Sequence, residues 1–165
     1  MATPKFLTKD LAALAVVTVL KSIMDDAEQF GIVKKACHIC VAVPSVEHHL
    51  SHHKNISMEM LYEFSYNKDL WTAEYAKIAN SKALQLWEDR NDGRTDIMPH
   101  LLFPGDTVYY GGVKRHGIVV TCSGFPPWID QMIAGMIADM IVALAYTTWR
   151  TSEEYKNEMD FVTAC

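Results

Sequence analysis

Positive charge is in short supply in this chain. Its 15 Lys and Arg are outnumbered by 20 Asp and Glu, for a formal net charge of −5 over 165 residues. Binding to phosphate backbones needs clustered Lys and Arg, so no nucleic-acid partner is expected. Apolar runs are also short. The longest, Leu11 to Leu20, is bounded by Asp10 and Lys21 and falls well below the ~20 residues a helix needs to span a bilayer, so no membrane partner is expected. The start, MATPKFLTKD, has an acidic residue before that run and no small-residue cleavage site after it, unlike a signal peptide. Cysteine is sparse: Cys37, Cys40, Cys122 and Cys165. Cys37-His-Ile-Cys40 has CxxC spacing, but it lies in an apolar β-type run that points the two thiols to opposite faces. That argues against a zinc knuckle or a thioredoxin-like site. Reduced, buried thiols in a cytoplasmic protein are the plainer expectation. There is no GxSxG, hence no basis for a serine hydrolase, and no repeat, low-complexity tract or second domain is visible.

What the chain does have is a globular balance, with 50% hydrophobic and 21% charged residues, so residues 1–165 are expected to form one domain. Thr8 is a candidate N-cap for a helix reaching about Gln29, with Leu11, Leu14, Val17, Leu20 and Met24 at helical spacing and Gly31 as its stop. Residues 36–43, ACHICVAV, form an apolar run of strand length that Pro44 ends. After PSVEHHLSHHKN, the segment EMLYEFSY alternates as a strand does. Asp69 is a candidate cap for a second helix over about Leu70 to Asp89. The stretch from Pro104 to Met140 reads as two β-type runs, TVYY and HGIVVTC, around a Gly111-Gly112 turn, since paired glycines supply the positive φ a tight hairpin needs. Ser123-Gly124 follows. Gly124 lets backbone approach a neighbour or ligand, and a long apolar helix starts at Pro126 or Pro127. Residues 147–165 read as a helical extension or a tail. The order α-β-β-α-β-β-α predicts an α+β two-layer domain with helices packed on an antiparallel sheet.

Several short motifs, taken in order, resemble the GlcG/HbpS-like family of haem-degrading or haem-binding proteins. They are Leu7-Thr8 before an alanine-rich helix, Gly31 and the strand VAV at 41–43, then Ile78-Ala79-Asn80-Ser81-Lys82-Ala83, and finally Pro104-Gly105, the hairpin, Ser123-Gly124 and Asp130. The resemblance covers roughly residues 7–145. It implies a small α+β domain with a sheet of about five strands, and assembly into homo-oligomers. It also implies a small-molecule ligand, with haem or a related tetrapyrrole as the first cofactor candidate. Where the family turns from its first strand to its second through a short Asp-x-Gly-Gly segment, this chain carries PSVEHHLSHHKN.

Candidate site residues fall into three groups. His48 and His52 would share a face if their segment is helical, an i, i+4 geometry that can hold a metal or offer haem an axial ligand; a solvated loop is the alternative. Arg115 and His116, with Lys114, could join Lys82 in a patch for a carboxylate or form an exposed basic turn. Lys82 itself is a snorkelling partner of an acid or, if desolvated, an anion site or base. Asp130 sits in the first turn of the last helix, where the helix dipole accounts for it and general acid/base work is the sharper role. Ser123, Gly124, Tyr62 and Trp128 are candidates for lining a cavity, with Phe64 and Tyr109 beside them, although core filling is the default for the aromatics. Met132, Met136 and Met140 form a stripe suited to core or interface packing. Two functions follow: a small-molecule-binding protein, or a cofactor-independent isomerase, cyclase or lyase with His116, Asp130 and Lys82 as its acid/base groups.

Overall fold

A computed structural model describes residues 2–46 and 56–156. Its elements are α1 (Lys9–Asp25), β1 (Cys37–Val46), β2 (Ile56–Tyr66), α2 (Tyr75–Trp87), β3 (Gly112–Arg115), β4 (Ile118–Ser123), α3 (Pro127–Arg150) and a short α4 (Glu153–Lys156). The strands form one antiparallel sheet in the order β2-β1-β4-β3. The domain is α+β, with helices packed on an antiparallel sheet, as the periodicities predict.

The mostly apolar β1 lies at the centre of the sheet, where strands are covered on both faces. Cys37, Ile39 and Val41 point towards α1 and α3, joined by Val120 and Cys122 of β4 and by Ala12, Val16, Ile133 and Ile137 of the helices. Ala42 and Val119 point the other way and meet Ala83 and Leu86 of α2. A bulge at Leu61 in β2 shifts the pairing between Val41 and Ala42. Tyr62, Phe64 and Tyr66 thereby face the α1/α3 core, while Met58 and Met60 face α2. Cys37 and Cys40 fall on opposite faces, as strand geometry requires, and Cys37, Cys40 and Cys122 are buried free thiols.

Five local expectations are corrected. The hairpin turn is at His116-Gly117, with φ of 50° and 80°, not at Gly111-Gly112. Two consecutive positive φ values make the two-residue turn that matches strand twist, and TVYY is loop rather than strand. Pro44 does not end β1, which continues to Val46. Pairing with β4 stops at Ala42, so the missing N–H of Pro44 removes no bond on that side. Asp69 lies in a separate helical turn, Lys68–Leu70, and α2 starts only at Tyr75. In α1 the buried face is Ala12, Ala15, Val16, Val19, Leu20 and Ile23, leaving Leu14 and Val17 exposed. Finally, α3 runs 24 residues and is long and apolar enough to cross a membrane by length and composition. Asp130 and Asp139 hide that length in a scan for unbroken apolar runs. In the fold, the inner face of α3 packs on β4 and α1.

Candidate functional site

The site is built where β4 ends and α3 begins. Gly124 takes φ of 144°, and a Cβ there would lie 2.3 Å from the Ala36 carbonyl oxygen. The close approach expected of Gly124 is thus to β1's lead-in backbone. It turns the chain sharply into Phe125 and the Pro126–Pro127 helix start, which presents Asp130 inwards.

From the opposite face, α2 sends Lys82 past the end of the edge strand. Its Nζ donates to the Cys122 carbonyl at 2.8 Å and to Asp130 Oδ2 at 3.2 Å. Asp130 Oδ1 accepts the Phe125 N–H at 3.0 Å. Both side chains are almost fully buried. Burial raises the proton affinity of the Asp130 carboxyl and outweighs the opposing attraction of Lys82. The Cys122 thiol is also pushed up by burial. Gly111, at φ of 128°, has room for no side chain: a Cβ would stand 2.6 Å from Asp130 Cβ and 2.9 Å from Lys82 Nζ. Close approach to this ion pair, not a hairpin turn, is what Gly111 supplies.

A cavity of about 320 Å³ opens onto this pair. Lys82, Asp130, Ser123 and Gly124 form its polar end, and Tyr75, Ile78, Tyr109 and Phe125 supply most of its apolar wall. The loop carrying Tyr109 is tied to α2, where Ser81 Oγ accepts the Thr107 N–H at 2.9 Å and Gln85 Nε2 donates to the Thr107 carbonyl at 3.0 Å. The Tyr75 hydroxyl is held by Lys34 and Thr72.

Five of the expected site residues therefore converge: Lys82, Asp130, Ser123, Gly124 and Tyr109. The others do not. His116 sits at the far end of β4, about 20 Å from Ser123 at ~3.3 Å per strand residue. Arg115 is paired with Asp139 of α3. Trp128 is exposed and Tyr62 lies on the α1 side of the sheet; neither lines the cavity. His48 and His52 lie outside the described residues. Tyr75 and Ile78 were missed, although Tyr75, Ile78 and Lys82 share a helical face at i, i+3 and i+7.

Haem iron takes His, Cys, Met or Tyr ligands. Of the described residues lining the cavity, Tyr75 and Tyr109 are of those types, and the Tyr75 hydroxyl is already engaged. Lys82, the lining cation, already faces Asp130. The described lining thus offers haem no histidine and no uncommitted cation.

A second polar cluster lies on the same face of β1. His38 Nε2 and Cys40 Sγ both approach Glu63 Oε1, at 3.3 and 3.8 Å. Asn80 of α2 donates to the same oxygen at 2.9 Å. No sequence rule pairs Glu63 with Cys40, because strand register decides it.

Among known proteins, no family model, curated protein or solved structure matches this chain.

Proposed function

We propose that the chain binds a compact organic molecule in the cavity between α2 and the start of α3, its polar end towards Lys82, Asp130 and Ser123. The observation that carries this reading is the buried ion pair lining the polar end of an otherwise apolar cavity. Its volume sits near the lower bound of the ~300–1,000 Å³ common for ligand sites, and apolar walls with a few convergent polar groups are the usual make-up of such sites. A tetrapyrrole enters through the GlcG/HbpS-like resemblance alone, and the cavity lining favours a smaller guest.

A second reading has its own support in Asp130. A carboxyl with raised proton affinity, next to an ammonium and open to a cavity, is suited to moving a proton. On this reading the chain is a cofactor-independent isomerase, cyclase or lyase. Asp130 exchanges the proton and Lys82 stabilises the negative charge that forms.

A thermal-shift screen of small carboxylic acids, enols and haemin, run on wild type and on Ala73→Trp, tests the proposal. Ala73 borders the cavity and is exposed, so the tryptophan can occupy the space without displacing core. Ligands that stabilise wild type and lose that effect in Ala73→Trp support the cavity. A sharp Soret change at one equivalent of haemin, lost in the same variant, would assign a tetrapyrrole. Equal shifts in both proteins for every compound would remove the reading.

A further inference from the structure

We propose that His38, Cys40 and Glu63 form a binding site for a single borderline transition-metal ion, with zinc as the natural occupant. The cluster is separate from the Lys82–Asp130 pair. His38 and Cys40 project from one face of β1, and Glu63 reaches them from β2. Their three ligand atoms lie within 4.8 Å of one another.

The distances are close to what a small tetrahedral ion requires. Zinc holds imidazole nitrogen and carboxylate oxygen at about 2.0–2.2 Å and thiolate sulfur at about 2.3 Å, which places neighbouring ligand atoms roughly 3.3–3.6 Å apart. His38 Nε2 and Glu63 Oε1 are 3.3 Å apart, and Cys40 Sγ and Glu63 Oε1 are 3.8 Å apart. The third side, His38 to Cys40, is no longer than 4.8 Å, so a shift of about an ångström at the sulfur closes the triangle. Nitrogen, sulfur and oxygen together suit zinc or cobalt rather than the oxygen-seeking magnesium and calcium.

The surroundings orient each ligand. His38 Nδ1 lies 2.9 Å from Ser65 Oγ, which leaves Nε2 as the nitrogen that faces the cluster. The His38 ring meets the Trp71 ring in a T-shaped contact. Asn80 holds the Glu63 carboxylate. Such outer partners are the usual companions of metal ligands. Charge also balances: one thiolate and one carboxylate neutralise a divalent ion, so the filled site carries no net charge into a place where His38 and Cys40 are buried. Glu63 is half-exposed, which gives the ion a way in and leaves a fourth position for water. On binding, the Cys40 thiol gives its proton to solvent and the metal–sulfur bond forms, with no change of oxidation state.

Cobalt(II) titration of the full chain tests this, because cobalt–thiolate charge transfer absorbs in the near ultraviolet. Wild type should develop that band with saturation at one equivalent, and zinc should erase it. Cys40→Ser should abolish the band. Glu63→Gln, a change at a half-exposed position, should weaken cobalt affinity at least 10-fold and remove the rise in melting temperature that zinc gives wild type. Asn80→Ala should weaken affinity by about 10-fold or more. His48→Ala/His52→Ala should leave the band unchanged. Absence of a thiolate band in wild type would overturn the proposal. So would a band that survives in Cys40→Ser or affinity unaltered in Glu63→Gln, since the trio would then be only a hydrogen-bonded cluster.

Discussion

Lys82 of α2 and Asp130 of α3 meet 3.2 Å apart although 48 residues separate them in the chain. They approach from helices on opposite faces of the sheet, through the gap left by Gly111 at the end of the edge strand. Both charges are buried, and the Cys122 carbonyl and Phe125 N–H complete their hydrogen bonding. A pair so placed is expensive to build and more expensive to break, because removing one partner strands the other charge away from water.

Single substitutions Lys82→Met and Asp130→Asn should therefore each destabilise the fold by about 3–5 kcal/mol. The double variant Lys82→Met/Asp130→Asn should recover much of that loss, since it buries no unpaired charge. Chemical denaturation of all four proteins provides the cycle. Additive losses in the double variant would show that the two side chains act independently. The double variant should still lose ligand, because the polar end of the cavity is gone.

Gly111 and Gly124 should tolerate no side chain. Gly111→Ala places a methyl carbon 2.6 Å from Asp130 Cβ, and Gly124→Ala places one 2.3 Å from the Ala36 carbonyl oxygen, both at positive φ. Each should lower the melting temperature by several degrees, corresponding to more than 1 kcal/mol. Gly105→Ala is the control. It also has positive φ, 94°, but a Cβ there meets nothing within 4 Å, so it carries only the conformational cost. Equal losses at all three positions would mean that contact with the site contributes nothing.

The elements that were legible in the sequence are those with a strong single period. The apolar run of β1, the alternation of β2 and the proline start of α3 stand where local pattern puts them, except that β1 runs past Pro44 to Val46. The hairpin was not legible in the right place because two glycine signals compete. Gly111-Gly112 looks like a turn and is a close approach, whereas His116-Gly117 holds the turn with a residue that only moderately favours positive φ. The pairing of Lys82 with Asp130 was out of reach, since no periodicity links α2 to α3. The shared face of Tyr75, Ile78 and Lys82 was available in principle, but placing the helix start at Asp69 obscured it. Cys40 and Glu63 meet only through the register of β1 with β2, which sequence alone did not set.

Acid should loosen the loop that carries Tyr109. Arg90 bonds Asp106 through two guanidinium nitrogens, at 2.5 and 3.3 Å, and Asp106 also accepts the Phe103 N–H. The guanidinium holds the Asp106 carboxyl below its ordinary value despite partial burial. A carboxyl depressed in the folded state stabilises the fold above its unfolded pKa, about 3.9. That stability is lost as pH falls through the folded value. Wild type should lose protection of the 99–110 backbone amides in hydrogen exchange below about pH 4, while Asp106→Asn should show weakened protection already at pH 7 and little further change on acidification. Hydrogen bonds to charged groups contribute roughly 1.5–3 kcal/mol, and the lower end is expected at this partly hydrated position. Identical protection in the two proteins at pH 7 would remove Asp106 as the anchor of this loop.

His116 provides a separation between turn and site. It occupies a left-handed position, φ of 50°, in the tight β3–β4 turn, followed by Gly117 at 80°. Asn-Gly is the favoured pair for such a turn, so His116→Asn should raise stability by up to about 1 kcal/mol. Because the turn is about 20 Å from Ser123 along β4, ligand affinity and any proton-transfer activity should be unchanged in this variant. Parallel thermal melts and binding titrations check both halves. A stabilised variant with unaltered binding keeps His116 in the turn and out of the chemistry, whereas loss of binding at unchanged stability would return it to the site as an acid/base group and require the two ends of β4 to communicate.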